Sequence, residues 1–293
     1  VTTPAATDRE APAEGRVATP AGTFAYEASG PADGTLVVCV HGFPDQPATF
    51  RPLAAILARE GFRVVAPWLR GYAPSPLEGP YGMARVAADL VAIARALSPS
   101  RPAMLVGHDW GAVAAYEALA YHPGAFARAV TLAVPHPLAF AYNAVRSPAQ
   151  LRRSWYMAFL NVPGSGHLVG RHDFAFVDRL WRDWSPGFTP APAYMRALKE
   201  CLARSMPAPI LYYRALAREA PGRLRAAPPP LIDVPTLYLH GADDGCIGAE
   251  LADGQDRFFR ARLRSSTVAR AGHFLQLEAP GEVGREVLDW LAQ

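Results

Sequence analysis

The residues best placed to do chemistry lie in Leu105-Val106-Gly107-His108-Asp109-Trp110-Gly111-Ala112. An apolar run, Ala103 to Val106, meets Gly-x-Asp-x-Gly and then Ala-rich sequence from Val113 to Ala120, a pattern of strand, sharp turn and helix. Flanking glycines allow a cramped turn and a close approach of helix to strand, which holds the central side chain, Asp109, out above the sheet. A carboxylate held there can displace a leaving group at a saturated carbon and become an alkyl ester. That ester must then be hydrolysed if the group is to act again.

The elements that would position this turn can be read on both sides of it. Phe24–Ala28 and Leu36–Val40 are expected strands separated by Gly30-Pro31-Ala32-Asp33-Gly34. Ala48–Glu60 has helical apolar spacing and ends at Gly61, Arg63–Pro67 is a further strand, and Met83–Leu97 is an amphipathic helix. Ala129–Val134 is a buried strand. This alternation indicates an α/β fold with a mostly parallel sheet flanked by helices. From Pro137 to Pro230 the pattern changes to apolar helical segments rich in aromatics, among them Tyr142, Trp155, Tyr156, Trp184 and Tyr213, with no clear βαβ unit. Strands resume at Pro235–His240 and Ser266–Ala269, and the helix Val283–Leu291 closes the chain. The expected organisation is a core of residues 20–136 and 231–293, interrupted by an inserted helical cap over 137–230. Residues 1–19 are expected to be a disordered tail, since Val1 to Val17 is Ala/Pro/Thr-rich and lacks the basic start and apolar middle of a signal peptide.

Composition excludes several classes of function. At 293 residues with 51 % hydrophobic and 19 % charged content, the chain has globular composition and can bury a sizeable core. The net charge is only +3, Lys199 is the sole lysine, and the arginines are scattered, so no nucleic-acid partner is expected. No run of about 18 apolar residues occurs, so no membrane partner is expected either. Cys39, Cys201 and Cys246 are odd in number and widely spaced, which implies neither a disulfide framework nor a zinc site and fits a reducing, cytoplasmic location. With no metal-ligand spacing among the histidines and no phosphate-binding glycine loop, no cofactor and no metal are expected.

His41-Gly42-Phe43-Pro44-Asp45 follows the second strand of the core, and Gly272-His273 follows the last. Together with the Asp109 turn, they make the chain resemble the epoxide hydrolase branch of the α/β-hydrolase fold over roughly residues 20–293. The resemblance implies that Asp109 is the nucleophile, that the backbone N–H groups of Phe43 and Trp110 form an oxyanion hole, and that His273 is the base. It aligns Asp244 with the acid of the triad, with Asp243 one residue away as an alternative. Two tyrosines of the cap would hydrogen-bond and protonate the epoxide oxygen. Tyr156, ahead of Pro163-Gly164, matches one; Leu211-Tyr212-Tyr213-Arg214 resembles an Asn-Trp-Tyr-Arg segment and points to Tyr213, with Tyr212 as the alternative.

The implied reaction converts a small apolar epoxide to a vicinal diol without a cofactor. The same elbow and loop occur in haloalkane dehalogenases, and Trp110 could donate to a halide, although many of those enzymes carry Asn where this chain has Phe43. The fluoroacetate branch typically has Arg after the nucleophile, where this chain has Trp110. A non-catalytic ligand receptor on the same fold is a third reading, disfavoured because no triad position is missing. Homodimerisation is left open.

Overall fold

The computed structural model describes residues 12–293. Eight strands form one sheet: β1 (Ala13–Thr19), β2 (Gly22–Ser29), β3 (Thr35–Val40), β4 (Phe62–Pro67), β5 (Ala103–His108), β6 (Phe126–Leu132), β7 (Thr236–Gly241) and β8 (Leu263–Val268). Their spatial order is β1-β2-β4-β3-β5-β6-β7-β8. β1 and β2 run antiparallel and every pairing from β4–β3 onward is parallel. The expected disordered tail over 1–19 fails for residues 13–19, which are β1. That strand pairs with β2 across a tight hairpin, and Val17 packs with Phe24 and Ile93. Its signal was weak because Val17 is the only large apolar residue in Ala13–Thr19, too little to reveal a period of two. The remainder of that expected tail, residues 1–11, lies outside the described residues.

Helices cover both faces of the sheet, because central parallel strands bury both of their sides. On one face, α1 (Arg51–Arg59), α11 (Leu275–Glu278) and α12 (Pro280–Leu291) close a core containing Val37, Cys39, Val106, Leu237, Leu239 and Trp290. On the other, α2 (Met83–Leu97) and α3 (Trp110–Tyr121) pack on Val38, Val40 and Leu105. Cys39 is thus a small core residue, and all three cysteines are buried and free of disulfides.

Between β6 and β7 the chain forms helices only: α4 (Pro137–Ala144), α5 (Pro148–Arg153), α6 (Trp155–Asn161), α7 (Ser165–Val169), α8 (Arg171–Trp184), α9 (Pro192–Ser205) and α10 (Leu211–Arg225), with a short 3-10 turn at Ala208–Ile210. Leu160, Val177, Leu180 and Leu202 from this insertion join the same apolar cluster as α2 and α3. Among the described residues no helix is long and apolar enough to cross a membrane.

Strand order fixes where a site can form. β3 continues to β4 on one side while β5 lies on its other side, so the connections diverge at the carboxyl ends of β3 and β5 and leave a crevice there. Because Val40 is in register with Gly107, the loop after β3 emerges beside the turn after β5. Gly111 lets α3 come that close: a Cβ on it would lie 2.1 Å from the Val40 carbonyl oxygen and 2.8 Å from that of His41. Both are backbone atoms that cannot swing aside. Gly111→Ala is therefore expected to cost about 2 kcal/mol in urea unfolding, within the range for overpacked cores. An unchanged midpoint would mean that helix and strand are less tightly fixed than this contact requires.

Candidate active site

Asp109 sits at the junction of β5 and α3 with φ 52° and ψ −120°, left-handed backbone that a β-carbon makes unfavourable. The turn is held by the amides of Ala112 and Val113, which donate to the Asp109 carbonyl. The strained residue stands where a nucleophile elbow holds its central side chain. The Phe43 amide donates to Asp109 Oδ1 at 2.7 Å. The Trp110 amide faces the same spot: a Cβ on Gly42 would lie 2.1 Å from Asp109 Oδ1 and 2.6 Å from the Trp110 nitrogen, so only glycine leaves this space. His41 secures the loop, with Nε2 accepting from the Leu69 amide and Nδ1 donating to the Gly42 carbonyl.

His273 lies fully buried between two carboxylates. Its Nδ1 donates to Asp244 Oδ2 at 2.9 Å, and its Nε2 stands 3.6 Å from Asp109 Oδ2, a charge contact too long for a direct hydrogen bond. Asp244 Oδ1 accepts from the amides of Cys246 (2.7 Å) and Ile247 (2.9 Å). Asp243 is exposed, so Asp244 is the partner of the histidine. Burial opposes charge on the imidazole, but the carboxylates of Asp244 and Asp109 outweigh it and lift His273 to about 10. For Asp244, burial acts upward and the imidazolium with its hydrogen bond more than offsets it, holding the acid below its usual range.

Both expected tyrosines reach this centre from the insertion, Tyr156 on α6 and Tyr213 on α10. Their rings meet edge to face at 5.8 Å, and Tyr213 also contacts the rings of Trp110 (4.9 Å) and Phe43 (5.7 Å). Among the described residues the Tyr213 hydroxyl and the Trp110 indole N–H are buried without a hydrogen-bond partner, while the Tyr156 hydroxyl lies 3.4 Å from Cys246 Sγ. Burial, reinforced for Tyr213 by the charge of Asp109, pushes both phenols well above their ordinary value, so they keep their protons. Tyr212 points elsewhere and donates to the Arg70 carbonyl at 2.6 Å.

Sequence reasoning missed several supports. The Trp184 carbonyl at the end of α8 accepts from the amides of both Gly245 and His273, and the Trp184 ring packs against Tyr156 and His273. Glu278 accepts from the amides of Gly272 and Phe274 on either side of the histidine. His108 has Nε2 at 2.9 Å from the His273 carbonyl; burial lowers it to about 3, so it is a neutral donor. Asp45 accepts from Tyr194 on α9 and is pushed up to about 7 by burial. No local spacing announces these contacts: most join segments far apart in the chain, and Glu278, which reaches back only four and six residues, does so into an irregular loop.

Asp244, Cys246 and His273 also bring three metal-ligand atoms within 4.8 Å of one another, but two of the three residues are already bonded to each other. The centre is enclosed: Asp109 is 6 % exposed, and two open cavities, of about 400 and 500 Å³, lie elsewhere, beside β8 and near Pro230–Pro235.

The profile of the alpha/beta hydrolase fold matches residues 35–280. Epoxide hydrolase 3 of Xenopus tropicalis is 30 % identical over 92 % of this chain and 75 % of its own. A solved structure described among novel epoxide hydrolases from metagenomes of hot environments is 26 % identical, covers 95 % of this chain and 98 % of that one, and superposes with a TM-score of 0.82. The Bacillus megaterium epoxide hydrolase solved with an inhibitor, at 23 % identity, covers 95 % of this chain and 100 % of that one with a TM-score of 0.85, a likeness of fold. The chain belongs to the α/β-hydrolase-fold family, in its epoxide hydrolase branch.

The charge arrangement has a sign that stability measurements can read. A histidine near 6.5 when unfolded and about 10 when folded stabilises the fold fully below about pH 6.5, and that contribution is lost as pH rises toward 10. The stability of the wild type relative to His273→Gln, from urea unfolding at pH 6, 8 and 10, is therefore expected to decline with rising pH. A constant difference would show that the two carboxylates do not hold the proton on His273.

Proposed function

We propose that this chain is an epoxide hydrolase that opens its substrate through an alkyl ester on Asp109. The observation that carries the reading is the pair of buried tyrosines, Tyr156 and Tyr213, gathered over a carboxylate whose Oδ1 is already engaged by a backbone amide. Asp109 Oδ2 attacks an epoxide carbon. As that C–O bond breaks, the oxygen takes a hydrogen bond and then a proton from the tyrosines, because an alkoxide is a poor species to leave unprotonated in a buried site.

Ester formation also switches the base. It removes the negative charge of Asp109, one of the two that keep His273 protonated, so the imidazole loses its proton more readily and can accept one from water. Water then adds to the ester carbon. The oxyanion develops on Oδ1, at the amides of Phe43 and Trp110, and collapse releases the diol with the original Oδ2. The helical insertion over 137–230 serves as the cap that carries both tyrosines and excludes solvent, and every group invoked belongs to one chain. A small apolar epoxide fits the aromatic surroundings, and three unpaired cysteines support a cytoplasmic setting.

Two experiments test the chemistry. In a single turnover in heavy-oxygen water, the label should enter the Asp109 carboxylate and reach diol only in later turnovers; labelled diol from the first would mean direct attack by water. His273→Gln should still alkylate, so intact-mass spectrometry should show protein plus one substrate mass accumulating without turnover.

The tyrosines separate the two enzymatic readings, since the unpartnered Trp110 indole N–H would also suit a halide. General-acid assistance is typically worth about 10²- to 10⁴-fold. Tyr156→Phe and Tyr213→Phe keep the packing rings, and each should slow alkylation by styrene oxide at least about tenfold, the double variant more. Bromoalkane turnover should barely respond. Wild-type alkylation by the double variant would make these tyrosines packing residues, and bromide release faster than diol formation would favour a haloalkane dehalogenase.

A further inference from the structure

β7 is buried on both faces, so its side chains alternate. Leu237 and Leu239 enter the core beneath α1 and α12, and Tyr238 and His240 point to the opposite face, each 2 % exposed. The two are bonded to each other and to the turn that carries the triad acid. His240 Nε2 lies 3.1 Å from the Ile247 carbonyl, which fixes the ring proton on Nε2 and leaves Nδ1 to accept from the Tyr238 hydroxyl at 2.6 Å. Burial lowers the His240 imidazole below its usual range, which agrees with a neutral ring.

Ile247 is also the residue whose amide donates to Asp244 Oδ1, and His240 Nε2 lies 4.0 Å from Asp244 Oδ2. One peptide unit removed, Gln150 on α5 donates to the Cys246 carbonyl and accepts from the Gly248 amide. The segment after Asp244 has no regular structure of its own until Ala249, so these side chains replace the backbone ladder it lacks.

We infer that His240 is a positioning residue for Asp244: locked by Tyr238, it fixes the Ile247 carbonyl and thereby the amides that aim the carboxylate at His273. The inference rests on the two-step reading of the reaction and goes beyond it, because it assigns His240 to one step. Asp244 acts through His273, and His273 is needed for attack by water, not for attack by Asp109. Tyr156 is anchored in α6 and by ring contacts with Trp184 and Tyr213, so loosening the turn leaves its ring in place even though its hydroxyl lies 3.4 Å from Cys246 Sγ in that turn.

The test is rapid-quench kinetics of wild type, His240→Leu and His240→Gln with styrene oxide, following alkyl-enzyme by intact mass and diol by chromatography. In His240→Leu, alkylation should stay within about twofold of wild type, while hydrolysis slows about 10- to 100-fold, the usual cost of a catalytic group displaced by about an ångström. Alkyl-enzyme should accumulate. His240→Gln, whose amide can accept from Tyr238 and donate to the Ile247 carbonyl, should recover most of the hydrolysis rate. Tyr238→Phe removes the lock without changing the strand and should give a smaller defect in the same step, which serves if His240→Leu does not fold. Hydrolysis at the wild-type rate in both His240→Leu and Tyr238→Phe would overturn the inference, and so would a parallel fall in both steps that His240→Gln does not relieve. A wild type that forms no alkyl-enzyme would instead remove the underlying reading, and the inference with it.

Discussion

An imidazolium buried between two carboxylates is the interaction on which the rest of this structure depends. Three ionic groups removed from water are costly unless each finds compensating partners, and mutual attraction alone does not supply them. Here the remaining acceptor sites are filled by backbone amides: Phe43 on Asp109, and Cys246 and Ile247 on Asp244. The loops after β3 and β7 must therefore converge on the centre with N–H groups facing inward. The positive φ of Asp109, the glycine at 42 and the close approach of α3 to β3 all serve that convergence. The same balance is easily tipped, since neutralising either carboxylate changes the protonation of the group between them.

Much of this was legible in the sequence because the informative segments are local. The elbow, the His-Gly-Phe-Pro loop and the core strands announce themselves through glycine placement and apolar runs, and the structure puts Asp109, Asp244, His273, Tyr156 and Tyr213 in one buried cluster. The choices left open, Asp243 or Asp244 and Tyr212 or Tyr213, turn on which way a side chain faces. One residue along a turn or helix swings that direction to another face, and composition carries no record of it. Burial decided the first, and a hydrogen bond to the Arg70 carbonyl decided the second.

What the sequence hid has two physical causes. β1 has one large apolar residue, and its identity as a strand comes from pairing with β2 rather than from its own pattern. The supports of the triad are hidden for the opposite reason. Trp184, Glu278, His108 and His240 are ordinary residues by type, and their roles arise from contacts that follow no period of the sequence, three of them through a main-chain carbonyl that any residue could have provided.

The Trp184 carbonyl constrains how molecules pass into and out of the enclosed centre. It belongs to the helical insertion, yet it accepts from both the turn behind Asp244 and the loop of His273. Lifting the end of α8 to admit a ligand would strip two amides of their acceptor and loosen the Asp244 turn and the His273 loop together. A ligand that enters without breaking these bonds must pass another rim, with the end of α8 as its fixed jamb.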